Sequence, residues 1–190
     1  MIRRMLVLIA TLLVVGLVWS GCAMTRAGYE SAPYTVIEKD KRIELRQYPI
    51  LRVAETSRGG DDFMRLFRYI SKGNVSGQKI AMTTPVFMIG EGTTNETMAF
   101  VLPESLSAPP APANDRVAIR ELPASTFAVL RFTGRQQGVD GKAAGELQRW
   151  MAERKLPVGG KARFAYFDPP WIPGFLRRNE VMIPTQPPSR

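Results

Sequence analysis

The alternation of apolar and polar positions marks two stretches of the chain as variants of one pattern. Ile43-Glu44-Leu45-Arg46-Gln47-Tyr48-Pro49 leads into a β-rich run, Ile50–Thr56. Val117-Ala118-Ile119-Arg120-Glu121-Leu122-Pro123 leads into another, Thr126–Phe132. Both set an alternating strand before Arg-x-(Tyr/Leu)-Pro, where proline closes the strand. Each run is followed by a polar, glycine-bearing link and then by helical spacing. Asp61–Lys72 places Phe63, Leu66, Phe67 and Ile70 on one face, with Asp61 or Asp62 as cap and Gly73-Asn74 as stop. Gly141–Lys155 places Ala143, Leu147, Trp150 and Met151 on one face and stops before Pro157. Two more strands follow each helix: Lys79–Met88 and Thr97–Leu102, then Ala162–Phe167 and Glu180–Ile183.

The pattern therefore predicts an α+β fold made from a pseudo-two-fold duplicated unit. Its halves run over about 34–104 and 115–184, joined by a proline-rich linker, 105–114, that carries Pro109, Pro110 and Pro112. Each half offers one amphipathic helix and a sheet with one apolar face, too little to stand alone. Together they can form a curved antiparallel sheet or open barrel carrying two helices, with a groove along a helix flank suited to an apolar ligand.

The first 33 residues follow a different rule. Arg3 and Arg4 precede an uncharged stretch, Met5–Trp19, and then Ser20-Gly21-Cys22. This is the order of a secretory signal over 1–21. The small pair ending in cysteine resembles a bacterial lipobox, in which the thiol of Cys22 becomes lipidated. Trp19 departs from the aliphatic residue usual three places before that cysteine. An uncleaved anchor is the alternative, since the uncharged run 5–25 is long enough to span a bilayer. Residues 22–33 read as a tether and 185–190 as a tail. Ala23, rather than an aspartate, favours the outer membrane by the same resemblance, with the domain facing the periplasm in the cell envelope.

Composition narrows the chemistry. The 190 residues contain no histidine and one cysteine. Ser-His-Asp and Cys-His catalysis, the usual zinc sites, histidine-ligated haem and an intrachain disulfide are thereby excluded. The formal charge of +9 is scattered rather than clustered with aromatics, which argues against a nucleic-acid partner and for a basic surface near anionic lipid.

Four fragments carry a resemblance to a known family. They are Tyr34–Glu38 leading into Ile43–Pro49; Phe67-Arg68-Tyr69-Ile70-Ser71-Lys72-Gly73-Asn74; Lys79-Ile80-Ala81-Met82-Thr83-Thr84-Pro85-Val86; and Phe167-Asp168-Pro169-Pro170 with Arg177-Arg178-Asn179-Glu180-Val181. Over 34–184 the chain resembles the SOUL haem-binding proteins. The resemblance implies a pseudo-symmetric α+β domain, a distorted antiparallel β-barrel with two amphipathic helices, related to gyrase-inhibitor-like small-molecule binders, and a tetrapyrrole held in a hydrophobic groove beside the first helix without histidine. It places Phe63 and Phe67 in that groove, Arg68 beside a haem propionate, and Trp171 and Phe175 on a bordering loop. Met64 and Met82 are the thioether candidates for iron, although Met82 also suits the core.

A binding protein rather than an enzyme is the expectation. Covering ~300 Å² of apolar surface contributes roughly 7 kcal/mol, and association costs at least about 4 kcal/mol. Haem binding should then be modest, and iron-free porphyrin should bind nearly as well. The competing readings are a small-molecule hydrolase of the related barrels, needing Glu44 or Glu180 to point inward with a raised pKa, and an interaction module or binder of other amphipathic ligands.

Overall fold

The protein is described by a computed structural model over residues 28–90, 96–134, 136–169 and 171–186. The expected signal segment 1–21 and the lipidation candidate Cys22 lie outside the described residues. Eleven strands and two α-helices alternate along the described chain. The first half holds β1 (Glu30–Ser31), β2 (Thr35–Asp40), β3 (Ile43–Tyr48), β4 (Leu51–Ser57), α1 (Asp62–Ile70), β5 (Thr83–Thr84), β6 (Val86–Ile89) and β7 (Thr97–Val101). The second holds β8 (Ala118–Leu122), β9 (Ser125–Thr133), α2 (Gln136–Glu153), β10 (Arg163–Tyr166), a 3₁₀ turn at Gly174–Leu176, and β11 (Arg178–Thr185).

Nine strands form one antiparallel sheet in the order β2-β3-β9-β11-β10-β6-β7-β4-β8. It is a curled half-barrel, with β2 and β8 as its two edges. The order of its inner strands is symmetric. Replacing β3, β4, β6 and β7 by β8, β9, β10 and β11 reverses the order and preserves every pairing. The helices obey the same exchange, since α1 packs on β4 and β7 while α2 packs on β9 and β11.

Both helices lie on one face of the sheet. Under α2 sit Leu45, Leu130, Phe164, Val181 and Ile183, all buried with Leu147 and Met151 of the helix. Under α1 sit Ala54 and Phe100, buried with Leu66, Tyr69 and Ile70. The opposite face carries no helix, yet Val53, Phe87, Phe127, Val129 and Met182 are buried there too. The curl of the sheet, with Ala32 of the N-terminal segment and Phe167 packed against the same cluster, covers that face.

Several boundaries differ from the sequence pattern. Helix α2 starts five residues ahead of the expected Gly141. Helix α1 is shorter than expected, because Ser71 already caps its C-terminus by donating to the carbonyls of Phe67 and Arg68. The chain then turns through Lys72 (φ 85), and the Gly73 N–H donates to the Arg68 carbonyl at 2.7 Å. A Cβ at Gly73 would lie 2.6 Å from that oxygen, so the approach requires glycine. The strand expected over Lys79–Met88 is interrupted at Pro85, which separates β5 from β6. Residues 105–114 are docked rather than free-running: the Tyr69 hydroxyl donates to the Pro110 carbonyl at 2.9 Å, and Leu106 packs on the cluster beneath α1.

Candidate functional site

The outer face of α1 carries the first candidate surface. Its buried side is Leu66, Tyr69 and Ile70, so Phe63 and Phe67 do not share the core side, contrary to the simple helical pattern. They are 37% and 41% exposed. One helical turn apart, their rings stack in parallel, with centroids 6.1 Å apart and planes inclined by 11°. Phe63 also meets the edge of Phe100 on β7, at 5.3 Å, which fixes the ledge to the sheet. Met64 is exposed on the same helix, whereas Met82 packs against the cluster beneath it. Arg68 is exposed and makes no ion pair among the described residues.

Trp171 and Phe175 lie on the loop from β10 to β11 and are 70% and 75% exposed. The loop is braced from below. Arg178 donates from its backbone N–H to Asp168 at 2.6 Å and pairs with it through the guanidinium at 3.1 Å, and Arg177 donates to the Ile172 carbonyl at 2.8 Å. The sheet register puts Phe100, Val86 and Tyr166 side by side across β7, β6 and β10. The loop therefore leaves the sheet two strand spacings, roughly 10 Å, from the ring on which Phe63 rests. Phe63 and Phe67 are thus one surface, Arg68 is exposed about a quarter-turn round the same helix from Phe67, and Trp171 and Phe175 belong to a neighbouring loop.

The second candidate holds Glu44 and Glu180, which the sequence offers only for a hydrolase, together with arginines and tyrosines that it does not mark. A cavity of about 430 Å³ opens at the end of the half-barrel, lined by Tyr34, Tyr48, Arg131, Phe132, Phe167 and Glu180 among others. Beside it runs a buried ionic network. Arg46 is wholly buried and donates to Glu44 at 2.7 Å, to both oxygens of Glu180 at 2.8 and 2.9 Å, and to the Tyr48 hydroxyl at 3.1 Å. Tyr34 covers the guanidinium with its ring, 4.1 Å from the centroid. Arg131 donates to Glu180 at 3.2 Å and to Glu44 at 3.1 Å, and Lys39 approaches Glu44 at 3.5 Å. Burial acts to raise the pKa of Glu44, but the hydrogen bond and charge of Arg46, with Arg131, outweigh it and hold the carboxyl below its ordinary range. Burial pushes the Tyr48 hydroxyl up to about 12 against the opposing charge of Arg46.

Glu44 and Glu180 thus point inward, as a hydrolase of this fold would require, but Glu44 is held ionised rather than raised. Strand alternation by itself does not mark this network as buried. Glu44, Arg46 and Tyr48 occupy alternate positions of β3 and share the face away from α2, a pattern that in an ordinary one-sided sheet marks the wet side. Among the described residues, no group of three or more acidic or cysteine side chains is placed to hold a metal ion. No described helix is long and apolar enough to cross a membrane.

Known proteins place this architecture. The family model described as "SOUL heme-binding protein" matches residues 29–184. The chain belongs to the SOUL family. No curated protein matches it. Its fold is shared with the C-terminal domain of EcmrR, at 15% identity and a TM-score of 0.55, over 80% of this chain and 98% of that one. It is shared as well with a hydrolase from Listeria innocua, at 10% identity and a TM-score of 0.59, over 79% and 94% of the two chains. EcmrR in its complex with DNA gives 13% identity and a TM-score of 0.57, over 97% of this SOUL chain and 68% of that one. These likenesses show a common fold.

Proposed function

We propose that this SOUL-family protein binds haem or a related tetrapyrrole on the aromatic ledge of α1, as a lipid-anchored protein of the cell envelope and not as an enzyme. The observation that carries the reading is the parallel, solvent-facing pair Phe63 and Phe67. A pair of large apolar rings left in water on a helix whose core needs are met by Leu66, Tyr69 and Ile70 offers a flat macrocycle a stacking surface. Arg68, without an ion pair among the described residues, supplies a charge-assisted partner for a propionate. Trp171 and Phe175 supply a second apolar wall from the adjacent loop. The sequence holds no histidine, so recognition rests on the ring and its carboxylates, and Met64 is an exposed thioether on the same helix. Cys22 is the lipid attachment point in this reading, with the outer membrane as destination.

Titration of haem and of iron-free protoporphyrin, followed by tryptophan quenching, tests the proposal. Both should bind with affinities within a few fold of each other, and the Phe63→Ser/Phe67→Ser variant should lose at least tenfold for both. Unchanged affinity in that variant would overturn the assignment to α1. A large preference for haem that disappears in Met64→Leu would replace ring recognition with thioether ligation. For the anchor, wild type should incorporate a palmitate analogue and sediment with membranes, and Cys22→Ser should do neither.

A further inference from the structure

We infer that the cavity at the end of the half-barrel is a second ligand site, separate from the α1 ledge, built for a neutral or singly negative aromatic molecule and closed to cations. Size and lining come first. About 430 Å³ falls within the range of small-molecule sites, roughly 300–1,000 Å³. Tyr34, Tyr48, Phe132 and Phe167 give it aromatic walls, and Tyr34 and Tyr48 are already tilted against each other at 5.3 Å.

Charge decides the ligand class. An acid exposed on an aromatic-walled cavity would ordinarily recruit a cation. Here the lining acid, Glu180, has one oxygen taken by Arg46 and the other shared by Arg46 and Arg131. Glu44 behind it is taken by Arg46, Arg131 and Lys39. Two carboxylates therefore face three cationic groups, and the pair Arg178–Asp168 at the rim is neutral. The local surplus is a single positive charge. It sits on the side of Arg131, which lines the cavity, is half exposed, and has no hydrogen bond from Nη1 among the described residues. An arginine already oriented by two carboxylates has lost most of its rotamer freedom, so a carboxylate or sulfonate ligand meets a fixed donor. An incoming cation would have to displace Arg46 or Arg131 from Glu180, and Arg46 has no water to turn to.

This inference does not depend on tetrapyrrole binding, because the cavity lining includes neither Phe63 nor Phe67. The test uses the full chain in lipid nanodiscs and two probes of equal shape, 2-naphthoate and 2-naphthylmethylammonium, read by saturation-transfer NMR with empty nanodiscs as blank. Wild type should prefer the anion at least tenfold. Arg131→Gln, a change at a half-exposed position, should bring the two probes within about threefold of each other. Ala32→Trp, which places a large ring in the cavity, should abolish naphthoate binding. Phe63→Ser/Phe67→Ser should retain it. Equal or tighter binding of the cation by wild type would overturn the proposal, as would an anion preference that survives Arg131→Gln in a folded protein. Loss of naphthoate binding in the Phe63→Ser/Phe67→Ser variant would assign the probe to the ledge instead.

Discussion

A guanidinium removed from water has five N–H groups to satisfy, and Arg46 satisfies four of them with Glu44, Glu180 and Tyr48. Removing such a partner leaves two buried carboxylates with only the half-exposed Arg131, and Lys39 at Glu44, to offset their charge. Arg46→Met should therefore lower unfolding free energy by about 3–5 kcal/mol, read from the urea midpoint. Arg46→Lys should recover part of that loss only, since an ammonium cannot grip Glu180 through two parallel bonds. The same network sets the response to acid. Glu44 has a folded pKa below its unfolded one, so its contribution is complete above about pH 4.5 and fades as pH falls through the folded value. Glu44→Gln should flatten the acid limb of a stability–pH curve. Tyr48 acts at the other end. Its pKa is pushed up to about 12, so the unfolded chain ionises first, near pH 10, and stability falls from there upward. Tyr48→Phe should remove that alkaline slope while costing the hydroxyl's bond from Arg46. None of this was legible residue by residue. Alternation in β3 correctly separates Leu45 from Glu44 and Arg46, but which side is dry depends on the curl of the whole sheet.

Helix α1 shows what a periodic pattern resolves and where it stops. The spacing of Phe63, Leu66, Phe67 and Ile70 located the helix to within a residue at its start. It treated one apolar stripe as one environment. Tyr69, not Phe67, completes the buried side, because its hydroxyl finds the Pro110 carbonyl of the docked linker and so can be buried at little cost. That choice rotates both phenylalanines outward. The two sides should answer mutation differently. Leu66→Ala should cost about 2–5 kcal/mol by opening a void under the helix. Phe67→Ser should change stability by less than about 1 kcal/mol, as exposed substitutions usually do, while weakening porphyrin binding. Thermal unfolding and porphyrin titration on the same two variants separate these effects. The loop that carries Trp171 and Phe175 was readable as an aromatic segment between turn residues. Its position relative to α1 was not, since it follows from the register of β7, β6 and β10.

At the scale of the molecule, the halves are interleaved. Strand β3 of the first half pairs with β9 of the second, β8 of the second with β4 of the first, and β6 with β10 between them. The sequence pattern located both helices and expected the two stretches to share one curved antiparallel sheet or barrel, without saying which strands cross between them. The crossing strands are β3 and β8, each paired with a strand of the other stretch. Residues 34–104 alone would hold β4, β6 and β7 together but leave β3 without its partner β9. Either half expressed by itself should therefore lack native circular dichroism and a cooperative thermal transition. A half that unfolds cooperatively would contradict the interleaved order. Closing contacts between residues so far apart in the chain also predicts slow folding, in the millisecond-to-second range of sheet proteins.

The short strand β1 has a practical consequence. Ser31 pairs beside Thr84, their hydroxyls 3.1 Å apart, and Ala32 is buried just after it. Ser31, Ala32 and Tyr34 all line the hollow next to Glu180. Trimming the polypeptide at Tyr34, where sequence patterning alone would draw the boundary, would keep both stacked phenylalanines and strip one side from that hollow. A shortened protein could look native by porphyrin titration and still be blind to the second molecule.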